Sequence, residues 1–294
     1  MLILIADAFD ASLPTKLARF GEVTEDHARL PEAEVVLIRS KSKCTAEWFA
    51  GAPKVKLVIR GGVGMDNIDR EYAKAHGIKA VNTPKSSSIA VAELAFALML
   101  AVPNRLVEAH TTTAGGQFLK KELKRTELYG KTLGLIGMGN IAREVAKRAA
   151  AFGMKVQYFD PFVPASEYAV TKPTLEALVA DADYISMHTP FTPETDCMIN
   201  AALIAKSRKG VVIVNTGRGK CINAADMAAA LASGQVGTYA TDVWPSDPPP
   251  ADYPLLKAPN VLMAPHLGAS TKENLLRIGD EVQTIIADYV NGGK

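Results

Sequence analysis

Cysteine is scarce: Cys44, Cys197 and Cys221 are the only three in a chain of 294 residues, and they stand far apart. They offer neither a disulfide framework nor paired metal-ligand spacing, so free thiols in a reducing cytoplasm, and no metal site, are the expectation. An excess of one charge is also lacking. The net charge is +2, too small to imply nucleic acid or another polyanion as partner. Long apolar runs are missing too. The stretch Ile89 to Val102 is interrupted by Glu93 and is too short to span a bilayer. Met1 to Ala6 carries no basic residue ahead of its apolar run and passes straight into Asp7, which reads as a first strand rather than a secretion leader. These absences point to a cytoplasmic protein with no membrane and no nucleic-acid partner. Apolar residues, in contrast, make up 48% of the chain, enough to bury the cores of about two domains at this length.

The organising stretch is Lys131 to Asp160, KTLGLIGMGNIAREVAKRAAAFGMKVQYFD. Thr132 to Ile136 has strand character. Gly137-Met138-Gly139-Asn140-Ile141-Ala142 follows at once as G-x-G-x-x-A. Ile141, Val145, Ala149 and Phe152 then recur on one helical face, and Gly153 is placed to stop the helix. A second strand, Lys155 to Phe159, ends at Asp160, about twenty residues past the glycines, as a dinucleotide fingerprint requires. Gly137 permits the tight turn, Gly139 lets backbone approach a pyrophosphate, and Ala142 lets helix and strand pack closely. The helix N-terminus favours the pyrophosphate's negative charge. Asp160 can accept hydrogen bonds from ribose hydroxyls and would repel a 2′-phosphate. No Arg follows it in Pro161-Phe162-Val163-Pro164, so NAD is expected rather than NADP.

Ahead of that unit, strand-like runs at Leu2–Ala6, Val35–Ile38, Val55–Ile59 and Ile78–Val81 alternate with short helical segments. After Ile59 comes Arg60-Gly61-Gly62-Val63-Gly64. This turn is either an anion-binding nest or a plain connection, and Arg60 favours an anion. Ser86-Ser87-Ser88 caps a long apolar helix, Ile89 to Leu106, expected to be buried on several sides. Ala114 to Arg125 is polar and basic and reads as a solvated connection or dimer arm. Behind the nucleotide unit, strands Tyr184–Met187, Val211–Val214, Gly237–Ala240 and Val261–Met263 alternate with helices, which predicts a doubly wound parallel sheet. Polar groups stand at the carboxyl ends of these strands, where ligands gather: His188-Thr189-Pro190, Asn215-Thr216-Gly217-Arg218, Thr241-Asp242 and Pro265-His266. His188 reads as lining the cofactor cleft. A final helix, Lys272 to Val290, is expected to return to the first domain. On spacing alone His266 is either an acid/base facing the nicotinamide or a satisfied structural histidine. Arg218 could equally be a surface charge, and Asp247 a turn residue in a proline-rich loop.

Taken together, the motifs resemble those of the D-isomer-specific 2-hydroxyacid dehydrogenases, most of all the D-3-phosphoglycerate dehydrogenase branch. The resemblance runs through R-G-G-V-G-M-D-N-I-D (60–69), N-T-P (82–84), A-E-L-A (92–95), the nucleotide unit and H-T-P-F-T-P-E-T (188–195). It continues through V-N-T-G-R-G (214–219), D-V-W-P (242–245) and P-H-L-G-A-S-T (265–271). It implies an α/β fold of two Rossmann-like doubly wound domains. The nucleotide-binding domain, 103–271, would be inserted into a discontinuous substrate domain, 1–102 completed by 272–294. The form is expected to be short, without the carboxyl-terminal regulatory domain of some relatives.

The resemblance also implies roles. Arg218 would clamp the substrate carboxylate or keto oxygen with its fixed fork of donors. His266 would exchange a proton with the C2 oxygen, and Asp247 would take the place of the Glu that usually pairs with that histidine. A carboxylate partner orients an imidazole and favours its protonated form, but Asp is one methylene shorter, so its loop must come closer. Arg60, Gly62, Val63 and Gly64, with Arg218 and His266, would bind the substrate. Gly137, Gly139, Asn140, Ile141, Asp160, Thr189, Pro190, Thr216, Gly217, Arg218, Asp242, His266 and Gly268 would contact NAD. The implied reaction is hydride transfer at C2 of a small anionic 2-hydroxy or 2-oxo acid by a homodimer. Oxidation of D-3-phosphoglycerate in serine biosynthesis is foremost, with Arg60 as the phosphate site. Glyoxylate/hydroxypyruvate reduction and a D-lactate-type reaction are the enzymatic alternatives. An NAD-sensing corepressor-like binding protein is the alternative of another class.

Overall fold

The structure is a computed structural model that describes residues 1–292. The described chain divides into two compact units, 1–90 with 269–292, and 91–268.

In the first unit, strands β1 (Leu2–Ile5), β2 (Glu22–Thr24), β3 (Val35–Ile38), β4 (Leu57–Arg60) and β5 (Lys79–Asn82) form one sheet in the order β2-β1-β3-β4-β5. Every pairing is parallel. A parallel sheet is covered on both faces, so its central strands are continuous apolar runs rather than alternating ones; β1 and β3 are buried at every position. Alternate residues then serve opposite layers. Ile3 and Ile5 pack with Leu37 and Ile59 on one side, while Leu2 and Leu4 pack with Val36, Ile38 and Val58 on the other. Helices α1 (Leu13–Leu17), α2 (Ala46–Ala50) and α3 (Arg70–Ala75) link the strands. Thr45 and Asp69 cap α2 and α3 by accepting the N–H of Trp48 and Tyr72, the expected use of short polar side chains at helix starts.

Two helices follow, α4 (Ser88–Asn104) and α5 (Leu106–Ala114). The continuous helix expected over Ile89 to Leu106 ends at Asn104, because Arg105 adopts a left-handed conformation at φ 50°, and the axis turns by 61°. No single described helix is long and apolar enough to cross a membrane.

The second unit carries β6 (Thr132–Ile136), β7 (Lys155–Phe159), β8 (Val170–Thr171), β9 (Tyr184–Met187), β10 (Val211–Asn215), β11 (Val236–Thr241) and β12 (Val261–Met263). They form a parallel sheet in the order β12-β11-β10-β9-β6-β7-β8. The order reverses between β6 and β9, and such a switch point opens a crevice at the carboxyl ends of the strands. Helices α6 (Asn140–Ala151), α7 (Leu175–Asp181), α8 (Ala201–Ile204) and α9 (Ala224–Ser233) make the crossovers. The inner face of α6, Ala142, Val145, Ala146 and Ala149, packs against Leu133, Leu135 and Tyr158 and against Ala92, Ala95, Phe96 and Met99 of α4. Burying a side chain such as Val145 or Met99 fully stabilises by about 1.5–3 kcal/mol. Helix α10 (Lys272–Val290) belongs to the first unit, and its Ile278, Val282 and Ile286 stripe lies on Ile3, Ile5, Val35 and Leu57.

Candidate active site

The nucleotide turn is built as its glycines require. Gly137 stands at φ +90°, where a Cβ would lie 3.0 Å from the His188 carbonyl oxygen. Only glycine lets the two loops at the switch point approach this closely. Gly139 is the N-cap of α6, at φ −74° and with no side-chain cap, and a Cβ there would meet nothing within 4 Å. Gly139 therefore leaves room just ahead of the helix N-terminus, where an anion is favoured. Asp160 latches the turn from the end of β7: its carboxylate accepts the N–H of Met138 at 2.8 Å and of Phe162 at 2.8 Å.

On the other side of the switch point, one residue beyond the paired ends Met187 and Asn215, stand His188 and Thr216. Burial holds the His188 imidazole neutral, its pKa pushed down to about 3. Its Nε2 is bonded to Ser186 Oγ at 2.9 Å. His188 Nδ1 and Thr216 Oγ1 are buried with no hydrogen-bond partner among the described residues. Orphaned buried polar atoms are rare and costly. Two of them just beyond the carboxyl ends of β9 and β10, next to the switch point, fit a bound dinucleotide, whose oxygens would complete them.

The turn that carries Arg218 is organised by Asn215. Its amide donates to the Arg218 carbonyl at 3.0 Å and to Tyr239 Oη at 3.1 Å, and its Oδ1 accepts Gly217 N–H at 3.0 Å. At Gly219 a Cβ would lie 2.3 Å from the Trp244 carbonyl carbon, so the Arg218 turn sits directly on the D-V-W-P segment. Trp244 Nε1 in turn donates to Ala264 O at 3.0 Å, just ahead of His266.

His266 takes a left-handed conformation, φ 59°. The carboxylate of Asp242, buried with only 1% exposure, anchors the bend by accepting the N–H of Leu267 at 2.7 Å and of Gly268 at 2.8 Å. Burial raises the Asp242 pKa against the lowering effect of those two donors. His266 Nδ1 is hydrogen-bonded to the Asp247 carboxylate, so the shorter side chain does reach the imidazole. Both side chains remain partly exposed, 33% and 45%.

In the first unit, the turn after β4 is tied down separately. Gly62, at φ +142°, donates its N–H to Thr83 Oγ1 at 2.8 Å, and Asn82 Nδ2 donates to Val63 O. The Arg60 guanidinium lies where a Cβ at Gly62 would stand. Of the anion nest expected at Gly62–Gly64, the Gly62 N–H is thus used internally.

The structure brings several expected site residues into one unit and adds some that sequence reasoning did not single out. Gly137, Gly139, Asn140, Ile141 and Asp160 surround the turn. Thr189, Pro190, Thr216, Gly217, Arg218, Asp242, Asp247, His266 and Gly268 lie on the loops beyond β9 to β12. Ser186, Gly219 and Trp244 were not singled out, and Asn215 was named only as one of the polar groups at a strand end. Asn215, Gly219 and Trp244 lay within quoted motifs, and their contacts with residues distant in the chain were the missing signal.

Residues 96–268 match the family model described as D-isomer specific 2-hydroxyacid dehydrogenase, NAD binding domain. The chain is 43% identical over 270 residues to a hydroxypyruvate reductase of Thermotoga maritima, covering 89% of this chain and 88% of the relative. It is 39% identical over 292 residues to a D-3-phosphoglycerate dehydrogenase of Mycobacterium leprae, covering 96% of this chain and 55% of that one. The chain thus spans about half the length of the phosphoglycerate dehydrogenase it matches. Among solved structures, a D-lactate dehydrogenase of Aquifex aeolicus complexed with NAD and lactic acid superimposes with a TM-score of 0.88 at 28% identity, covering 100% of this chain and 96% of that one.

Proposed function

Because the chain belongs to the D-isomer-specific 2-hydroxyacid dehydrogenase family and carries its NAD-binding domain, we propose that it oxidises D-3-phosphoglycerate, or reduces the matching 2-oxo acid, at C2. The observation that carries an acid/base role is the His266–Asp247 hydrogen bond on a bend anchored by Asp242. With Asp247 accepting from Nδ1, the proton exchanged with the C2 oxygen is the one on Nε2. Arg218 would hold the carboxylate or polarise the C2 oxygen with its fork of donors. Arg60 would take the phosphate, helped by the Val63 and Gly64 N–H groups, which bond to no described residue. The nicotinamide supplies the hydride chemistry, and the protein orients it and handles proton and charge.

A second reading is reduction of hydroxypyruvate itself, favoured by the similarity to a reductase along nearly its whole length. In both readings the protein is a homodimer, which the exposed apolar side chains of Leu106, Val107 and Phe118 favour. The three free thiols suit a reducing, cytoplasmic setting. A panel of 2-hydroxy and 2-oxo acids assayed with NAD or NADH separates these readings. The phosphoglycerate reading expects kcat/KM to be highest for the phosphorylated substrate, and Arg60→Ala to raise its KM about 10-fold or more while leaving unphosphorylated acids nearly unchanged. Highest activity on hydroxypyruvate would favour the second reading, and cofactor binding with no turnover would favour a corepressor-like binding role.

A further inference from the structure

We propose that His188 holds the nicotinamide half of the cofactor, its Nδ1–H donating to a ribose or phosphate oxygen of that half. This rests on the family's NAD cofactor and not on the choice of substrate above.

Placement comes first. A dinucleotide lies across the switch point with its pyrophosphate at the helix N-terminus, here α6 beyond Gly139. Asp160, at the end of β7, marks the adenosine side. The nicotinamide half must then run over the other half of the sheet, beginning at β9, and His188 is the first residue beyond β9. Its carbonyl already closes on Gly137.

The proton inventory comes second. Among the described residues Ser186 Oγ has no hydrogen-bond partner except His188 Nε2. If the hydroxyl donates to Nε2, the imidazole carries its proton on Nδ1 and one polar group is left wanting. The opposite arrangement strands both the hydroxyl proton and Nδ1. The first tautomer is therefore favoured, and it makes Nδ1–H a buried donor with no partner among the described residues. A neutral, desolvated donor suits an oxygen acceptor, and an unmade bond of this kind costs about 1–3 kcal/mol until an acceptor arrives. The downward pull of burial on the His188 pKa agrees, because the ring stays a neutral donor at every working pH. Thr216 Oγ1, another buried atom without a partner among the described residues, stands one residue beyond the adjoining strand β10, so the same half of the ligand would find two polar groups.

Binding, not turnover, is the test. NADH is titrated by its fluorescence and AMP by calorimetry on the full chain. His188→Leu is expected to raise the NADH dissociation constant about 10-fold, the equivalent of one hydrogen bond, and to leave AMP within about 2-fold. His188→Asn, which returns an N–H near the Nδ1 position, is expected to recover most of the loss. An unchanged NADH constant overturns the proposal, and so does equal weakening of NADH and AMP, which would mark a purely structural histidine. If His188→Leu fails to fold, Ser186→Ala serves instead. It releases the tautomer, so a weakening of about 3-fold confined to NADH supports the assignment, while no change refutes it.

Discussion

The contact between His266 and Asp247 bears directly on the proposed acid/base role. The imidazole is held at Nδ1, which in that proposal makes Nε2 the exchanging atom. His266→Ala is expected to lower kcat at least about 10²-fold, the scale of a general acid/base, while still binding NADH. Asp247→Ala should cost less, and Asp247→Glu should retain most activity, since it restores the carboxylate usual at this position in the family. Steady-state kinetics with a fluorescence titration checks all three, and unaltered turnover in His266→Ala would remove that residue from the reaction. His188 makes a prediction of a different kind. Its pKa is held at about 3 in the folded state against 6.5 in the open chain, so between those values the unfolded chain binds more protons. Stability is then complete above about pH 6.5 and falls as the pH drops, by about 1 kcal/mol per unit. Urea unfolding at pH 7 and pH 5 measures the slope, and His188→Asn should flatten it.

Two glycines of the turns separate folding from binding at the level of elements. Gly139 caps α6 with ordinary dihedrals and open space around it. Gly139→Ala should leave the melting temperature nearly unchanged and weaken NADH about 10-fold or more, because the methyl occupies the approach of the pyrophosphate. Gly219 is the reverse case. A Cβ there collides with Trp244 backbone, so Gly219→Ala should cost about 3 kcal/mol, as overpacking does, and shift the Arg218 turn. Thermal melts paired with titrations distinguish the two; a stable, weak-binding Gly219→Ala would contradict the packing seen here. The same loops show what spacing could convey. The strand-turn-helix-strand unit from Lys131 to Asp160 was legible because a 3.6-residue period, two glycines and a terminal acid are local properties. The break after Asn104 was not, since an apolar run reads as one helix whether or not Arg105 turns left-handed. The short strands Glu22–Thr24 and Val170–Thr171 escaped notice because they are polar and lie at sheet edges, stabilised by a neighbour rather than by their own pattern.

For the molecule as a whole, the proposed homodimer would be held by the exposed apolar side chains of Leu106 and Val107 on α5, 55% and 57% exposed. Leu106→Glu combined with Val107→Glu is expected to convert a dimer to a monomer in light scattering at micromolar concentration without lowering the helix content. A monomer in the unsubstituted protein would refute the dimer.

By itself the sequence determined the layered α/β architecture, the nucleotide turn and the kind of cofactor, since each follows from periodicity and from residue types at short range. It also supplied His266, Arg218 and Asp247 through ordered motifs. Only the tertiary structure decided that Asp247 reaches the imidazole, that Asp242 anchors the bend carrying it, that Asn215 and Gly219 shape the arginine turn, and that His188 Nδ1 is buried with no hydrogen-bond partner among the described residues. These are contacts between residues distant in the chain or between a ring and its surroundings. They depend on which strands the sheet sets side by side, a choice made by packing the apolar layers rather than by any neighbour in sequence.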